Sequence, residues 1–135
     1  MGNVAIIKEL YENFARGNVP AVLGGLDPAI EWFEAEGYPN VGGRHTGHAG
    51  VLDALTRVGA DWNQLTLKPE DFIGDGSLVI VLGAVSGTSR HSGKSFHSRF
   101  AHEWRLRDSL VTLWRAHLDT ALVQAAAKAD VPPAK

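Results

Sequence analysis

Four side chains near the end of this chain have types that could do proton chemistry together: His102, Arg115, His117 and Asp119. An imidazole titrates close to neutral pH and can act as general acid or base. A carboxylate placed in an apolar cavity loses hydration, which raises its pKa and makes it a better base once charged. A neighbouring imidazole can then hold a developing enolate oxygen, and charge stabilisation of that kind is often the largest catalytic contribution. The chemistry these residues suggest is acid/base catalysis on an enolisable carbonyl compound, with His102 and Asp119 catalytic and Arg115 in support. Each has a plainer reading beside it. His102 could be a core histidine bonded to a neighbour, and Asp119 could cap a helix starting at Thr120. Arg115 could simply partner a carboxylate. His117 lines the cavity, or faces solvent if a bulge intervenes.

The element that must position them is a hairpin over residues 96–120, FHSRFAHEWRLRDSLVTLWRAHLDT, with its turn at Asp108-Ser109. With Arg107 opposite Leu110, strand alternation puts Phe96, Ser98, Phe100, His102, Trp104 and Leu106 on one face. The same register puts Val111, Leu113, Arg115, His117 and Asp119 on that face. It is aromatic toward the turn and ionisable at the far end, as the floor of a cavity would be. A bulge in either strand would exchange the faces beyond it. The opposite face would combine His97, Arg99, Glu103 and Arg105 with Leu110, Thr112, Trp114, Ala116 and Leu118. An apolar row of that kind is seldom left on a monomer surface, so a two-fold homodimer packing sheet on sheet is expected.

Tyr11, Phe14, Trp32, Phe100 and Trp104 are candidates for the wall that contacts a flat hydrophobic ligand, with His117 beside them. Plain core packing is the alternative. Trp62 and Trp114 read as core or interface, and Glu34 and Glu36 as solvated. His45, His48, His91 and His97 lack the helical carboxylate–histidine spacing of a zinc site, and no metal is expected. The glycines at 42, 43 and 47 match no phosphate-cradling pattern.

The 135 residues suit one domain, here residues 1–127, followed by a flexible tail over 128–135. A net charge of -2 gives no electrostatic case for nucleic acid or an anionic membrane. There is no cysteine, so disulfides and thiolate chemistry are excluded. No secretory h-region and no membrane-length apolar run is present, and a cytoplasmic location is expected.

In chain order, Asn3 can cap a first helix whose apolar face is Val4, Ile7, Leu10, Tyr11 and Phe14, ended by Gly17. Asn18 caps a short second helix. Asp27-Pro28 reads as a turn before a strand over 29–34. Residues 37–50 read as a long, poorly ordered loop bordering the pocket mouth. A third helix carries Val51, Leu52, Leu55 and Val58. Strands follow over 65–73 and 78–86, then the hairpin, then a short helix. Helices early and strands late indicate an α+β domain, a curved antiparallel sheet wrapped around the helices as a cone with an interior.

The phrases IEWFE, GHAGVLDAL, PEDFIGDGSLVIVLGAVSG, FAHEWRLRDSLV and HLDTA, in that order, resemble the SnoaL-like branch of the NTF2-like superfamily. That branch includes polyketide cyclases and relatives of ketosteroid isomerase. The resemblance implies the cone-shaped fold; its activity signal is weaker, because one fold hosts many reactions. Against the isomerase pattern, Trp32 stands where the base would be, His102 where the acid would be, and Leu10 near the tyrosine position, with Tyr11 one residue along. These departures weigh against steroid isomerisation. The polyketide cyclases are more similar, and imply an Asp–His pair, here Asp119 and His102, closing a ring without metal or organic cofactor. The expectation is a binder of a small hydrophobic, polyketide-like molecule, a cyclase or isomerase if it is an enzyme. The alternative is a non-catalytic ligand-binding or scaffold dimer.

Overall fold

The computed structural model describes residues 2–129. Helices α1 (Asn3–Ala15) and α2 (Val19–Gly24) precede strand β1 (Leu26–Glu34), strand β2 (Gly43–Thr46) and helix α3 (Gly47–Asp61). Strands β3 (Trp62–Asp75), β4 (Leu78–Ser89), β5 (Ser95–Arg107) and β6 (Leu110–Leu118) then lead to helix α4 (Thr120–Ala127). The expected tail beyond residue 129 lies outside the described residues. No helix among the described residues is long and apolar enough to cross a membrane.

The six strands form one curved, open sheet in the order β2-β1-β6-β5-β4-β3, and the α+β class is as expected. β1 pairs with β6 in parallel, and every other pairing is antiparallel. Ile7 and Leu10 of α1 and Val51 and Val58 of α3 are buried with Ile30, Val79, Val81 and Val111 of the strands, so helices and the inner sheet face share one core. Asn18 caps α2, its side chain accepting from the Ala21 N–H at 3.3 Å. Asn3 does not cap α1. Gly2 holds that position, and Asn3 Nδ2 donates instead to the Gly76 carbonyl at 3.1 Å.

Two segments differ from the sequence reading. Residues 37–50 are only partly loop: Gly43–Thr46 pair with the β1 edge, and α3 starts at Gly47. The Asp27-Pro28 pair lies inside β1, where the register against β6 shifts between Leu26 and Glu31 and tolerates a proline.

The hairpin supplies the main correction. Asp108 and Ser109 have φ of 52° and 67°, the left-handed pair of a two-residue turn, and Arg107 faces Leu110 as expected. β5 buries Phe96, Ser98, Phe100, His102, Trp104 and Leu106 inward, again as expected. In β6, however, Leu106 faces Val111 while Arg105 faces Leu113, leaving Thr112 as a bulge. One extra residue exchanges the faces beyond it. Trp114 and Ala116 are therefore buried inside, while Arg115 and His117 lie on the outer face. The apolar row behind the dimer expectation is thus not on the surface. The outer face carries His97, Arg99, Glu103, Arg105, Arg115 and His117 instead.

Candidate functional site

Between α1, α3 and the inner sheet face lies a cavity of about 90 Å³. Its walls are almost wholly apolar. Phe14 of α1, Leu55 of α3, Leu65 and Leu67 of β3, and Phe100 of β5 are among the apolar side chains that line it. Across the sheet, register sets Trp32 beside Trp114 and Trp114 beside Trp104, a row of three indoles on adjacent strands. Trp32 and Trp114 stack at 4.0 Å between centroids. Such pairs fix ring positions more tightly than area burial alone.

Two polar groupings interrupt this lining. In the first, Tyr11 of α1 reaches His102 of β5, with its Oη 2.5 Å from Nδ1. Trp104 Nε1–H donates to the same Oη at 3.0 Å. That oxygen accepts from Trp104, and the assignment that also gives its own proton an acceptor has it donating to His102 Nδ1, with the neutral imidazole carrying its proton on Nε2. His102 Nε2 has no hydrogen-bond partner among the described residues. Burial, helped by the nearby His117, pushes the His102 pKa down to about 3. Burial pushes the Tyr11 hydroxyl far up. Near neutral pH both are uncharged hydrogen-bonding groups.

The second grouping was not anticipated. Glu34, read from sequence as solvated, is buried at the end of β1 and lines the cavity. Trp32 Nε1–H donates to its Oε1 at 3.0 Å. Burial raises its pKa to about 7, although the Trp32 hydrogen bond opposes the shift. Tyr38 lines the same cavity, and its hydroxyl is also pushed up by burial and by the negative charges of Glu34 and Asp61. The signal for Glu34 was present in the strand alternation. Ile30, Trp32 and Glu34 share a face, and all three are buried.

Of the residues expected in the site, Tyr11, Phe14, Trp32, Phe100, His102 and Trp104 line the cavity. Asp119, Arg115 and His117 do not. Asp119 is exposed and its carboxylate accepts from the Leu122 N–H at 3.2 Å, capping α4. Arg115 lies 3.4 Å from Glu103 and sits over the Phe33 ring at 4.6 Å. His117 is exposed opposite Ala101. The Thr112 bulge is the cause in each case: without it Arg115, His117 and Asp119 would share the face of His102. The expected shared cavity for His102 and Asp119 is not formed.

Three of the remaining histidines are engaged elsewhere. His45 Nε2 donates to the Val41 carbonyl at 2.7 Å, and His48 Nε2 to the Leu26 carbonyl at 2.9 Å. Neither lines the cavity, so the loop's claim to ligand contact passes to Tyr38. His91 pairs with Asp61 at 3.1 Å on the surface. Among the described residues, no group of three or more His, Cys, Asp or Glu is arranged to hold a metal ion.

The SnoaL-like domain profile matches residues 7–114, which hold every cavity residue named above. The chain belongs to the SnoaL-like family. Solved structures agree with this SnoaL-like assignment. An NTF2-like protein from Burkholderia thailandensis is 31% identical, with 95% of this chain and 98% of that one aligned at a TM-score of 0.90. An NTF2-like protein of unknown function from Burkholderia pseudomallei is also 31% identical, covering 96% and 100% at a TM-score of 0.88. TerC, co-crystallised with polyporic acid, is 30% identical over 93% of this chain and 97% of its own, at a TM-score of 0.85. No curated protein matches the chain. The SnoaL-like domain thus has its fold and family established, and the cavity is its candidate site.

Proposed function

We propose that this SnoaL-like domain binds one small, flat, hydrophobic carbonyl compound in the inner cavity and performs acid/base chemistry on it. The observation behind this reading is a carboxylate, Glu34, buried in an apolar cavity together with the neutral Tyr11–His102 pair. A carboxylate whose pKa is raised to about 7 is a stronger base than an exposed one, yet is still half ionised at neutral pH. Glu34 would take a proton from carbon next to the carbonyl. The enolate oxygen would accept from His102 Nε2–H. The proton then returns from Glu34 to another carbon, giving an isomer, or the enolate carbon attacks a second carbonyl, whose oxygen takes the proton from Glu34 as the ring closes. The similarity to TerC, co-crystallised with polyporic acid, supports an organic ligand in this cavity.

His102 is thereby assigned as a hydrogen-bond donor. Its depressed basicity removes it as a proton acceptor near neutral pH. That same feature favours the second reading, a domain that binds without turnover. The test is deuterium incorporation next to the carbonyl of enolisable aromatic ketones in D2O, followed by mass spectrometry. Wild-type protein should accelerate exchange, and Glu34→Gln should lower the rate at least about a hundredfold. Undiminished exchange in Glu34→Gln removes Glu34 as the base. Binding with no exchange in the wild type leaves the non-catalytic role.

A further inference from the structure

The inner face of β4 carries Val81, Gly83, Val85 and Gly87, and Val85, between the two glycines, lines the cavity. A glycine inside a strand often marks close approach by another part of the chain. Both glycines here are covered in that way. Phe100, the register partner of Gly83, lays its ring where a side chain at 83 would stand: a Cβ there would lie 2.7 Å from Cζ and 2.9 Å from Cε2. It would also strike the Lys68 carbonyl oxygen, so the backbone itself requires Gly83. Gly87 is different, because only side chains cover it. Its Cβ would lie 3.0 Å from Leu65 Cδ1, 3.3 Å from Phe96 Cε1 and 3.6 Å from Trp62 Cε3.

Leu65 is brought there by a bulge. Asn63 faces Thr88 and Thr66 faces Ser86, which leaves Gln64 and Leu65 opposite the single residue Gly87. Gln64 holds φ at 55°, a left-handed conformation that a residue with a side chain seldom adopts. Strain of that kind persists only where the surroundings impose it. Its result is that Leu65 lies against Gly87 while lining the cavity. Trp62 and Phe96, on the other sides of Gly87, are both buried and packed edge to face at 4.9 Å. A close-packed pair of that kind has little room to retreat. A methyl added at 87 would therefore displace Leu65, the partly exposed neighbour, away from the strand and toward the cavity.

We propose that Gly87, which does not itself line the cavity, is a specificity-determining residue: having no side chain, it lets Leu65 lie down on β4 and so fixes how large a ligand the cavity admits. With only about 90 Å³ to fill, a displacement of a few tenths of an ångström decides whether one more carbon fits. The assignment rests on the reading that the cavity takes a flat carbonyl compound, and adds to it what limits the size of that compound.

The test uses the full chain and a homologous series of ketones: acetophenone and its para-methyl, para-ethyl and para-propyl derivatives. Calorimetry gives each affinity, and the size limit is the largest member held within about tenfold of acetophenone. Gly87→Ala should lower that limit by at least one carbon, each excluded carbon weakening binding roughly tenfold to two-hundredfold. Where acetophenone is already the limit, its own binding should fall by that factor. Adding Leu65→Ala to Gly87→Ala should restore the limit or raise it, an outcome that a purely structural role for Gly87 would not give. If Gly87→Ala does not fold, Leu65→Phe, which fills the same space from β3, should lower the limit in its place. An unchanged limit in the folded variant, or one that Leu65→Ala fails to restore, overturns the assignment while the ligand-binding reading stands. Wild-type protein that binds no member of the series overturns both.

Discussion

Tyr11 shows how much one hydroxyl can organise in a dry site. Its Oη accepts from Trp104 and donates to His102, so a single atom fixes an indole and an imidazole tautomer at once. Tyr11→Phe leaves the ring and removes that atom. Two buried polar groups then lose their partner, each worth about 1–3 kcal/mol when left unsatisfied. The variant should unfold at lower urea with an unchanged slope, a loss of roughly 2–4 kcal/mol. A loss below about 1 kcal/mol would show that water replaces the hydroxyl without penalty.

Among the elements, β6 depends most on a detail of one or two residues. Thr112 is the unpaired residue of the bulge, and its hydroxyl donates to the Arg105 carbonyl at 3.3 Å. Deleting it would restore a regular ladder, turning Arg115 and His117 inward and Trp114 outward. Burying an unpaired guanidinium is prohibitively costly in an apolar cavity. The deletion should therefore lose the cooperative thermal transition seen by circular dichroism. Thr112→Ala, which keeps the residue count, should cost less than about 1 kcal/mol. A folded deletion variant with native melting would mean that β6 can be re-registered freely.

The same detail explains what could be read from the sequence. The inner face of β5 followed from alternation alone, from Phe96 to Leu106. β6 could be read only as far as Val111, because SLVTLWRAHL contains no glycine or proline to mark a bulge. The order of elements and the α+β class were legible because long apolar periodicities are redundant. Glu34 was missed because a charged residue beside a glycine-rich loop reads as solvated unless the alternation through Ile30 and Trp32 is extended to it.

Across the whole molecule, Glu34 and His102 give stability a defined dependence on pH. The unfolded Glu34 carboxyl ionises above its ordinary 4.5, whereas the folded one stays protonated to about 7. Its contribution is therefore full below 4.5 and is lost as pH rises to about 7. His102 acts the other way. The unfolded imidazole takes a proton below 6.5, and the folded one resists to about 3, so its contribution is lost as pH falls through that range. Between 4.5 and 6.5 the two slopes oppose each other. Replacing Glu34 by Gln removes one of them. The stability of the variant relative to wild type should increase by on the order of 3 kcal/mol from pH 4.5 to pH 8, measured by urea midpoints. A constant difference across that range would place the Glu34 carboxyl in water.

The parallel pairing of β1 with β6 also constrains how the chain is made. Strands β3 to β6 form a meander that can zip between sequence neighbours as it leaves the ribosome, but β1, paired until then only with the short β2, cannot join that meander until β6 is complete. During that interval Ile7, Leu10, Tyr11 and Phe14 of α1 have no inner sheet face to cover them. Synthesis thus exposes the cavity-forming apolar surface first and covers it last, so the nascent N-terminal third is the part most in need of a chaperone.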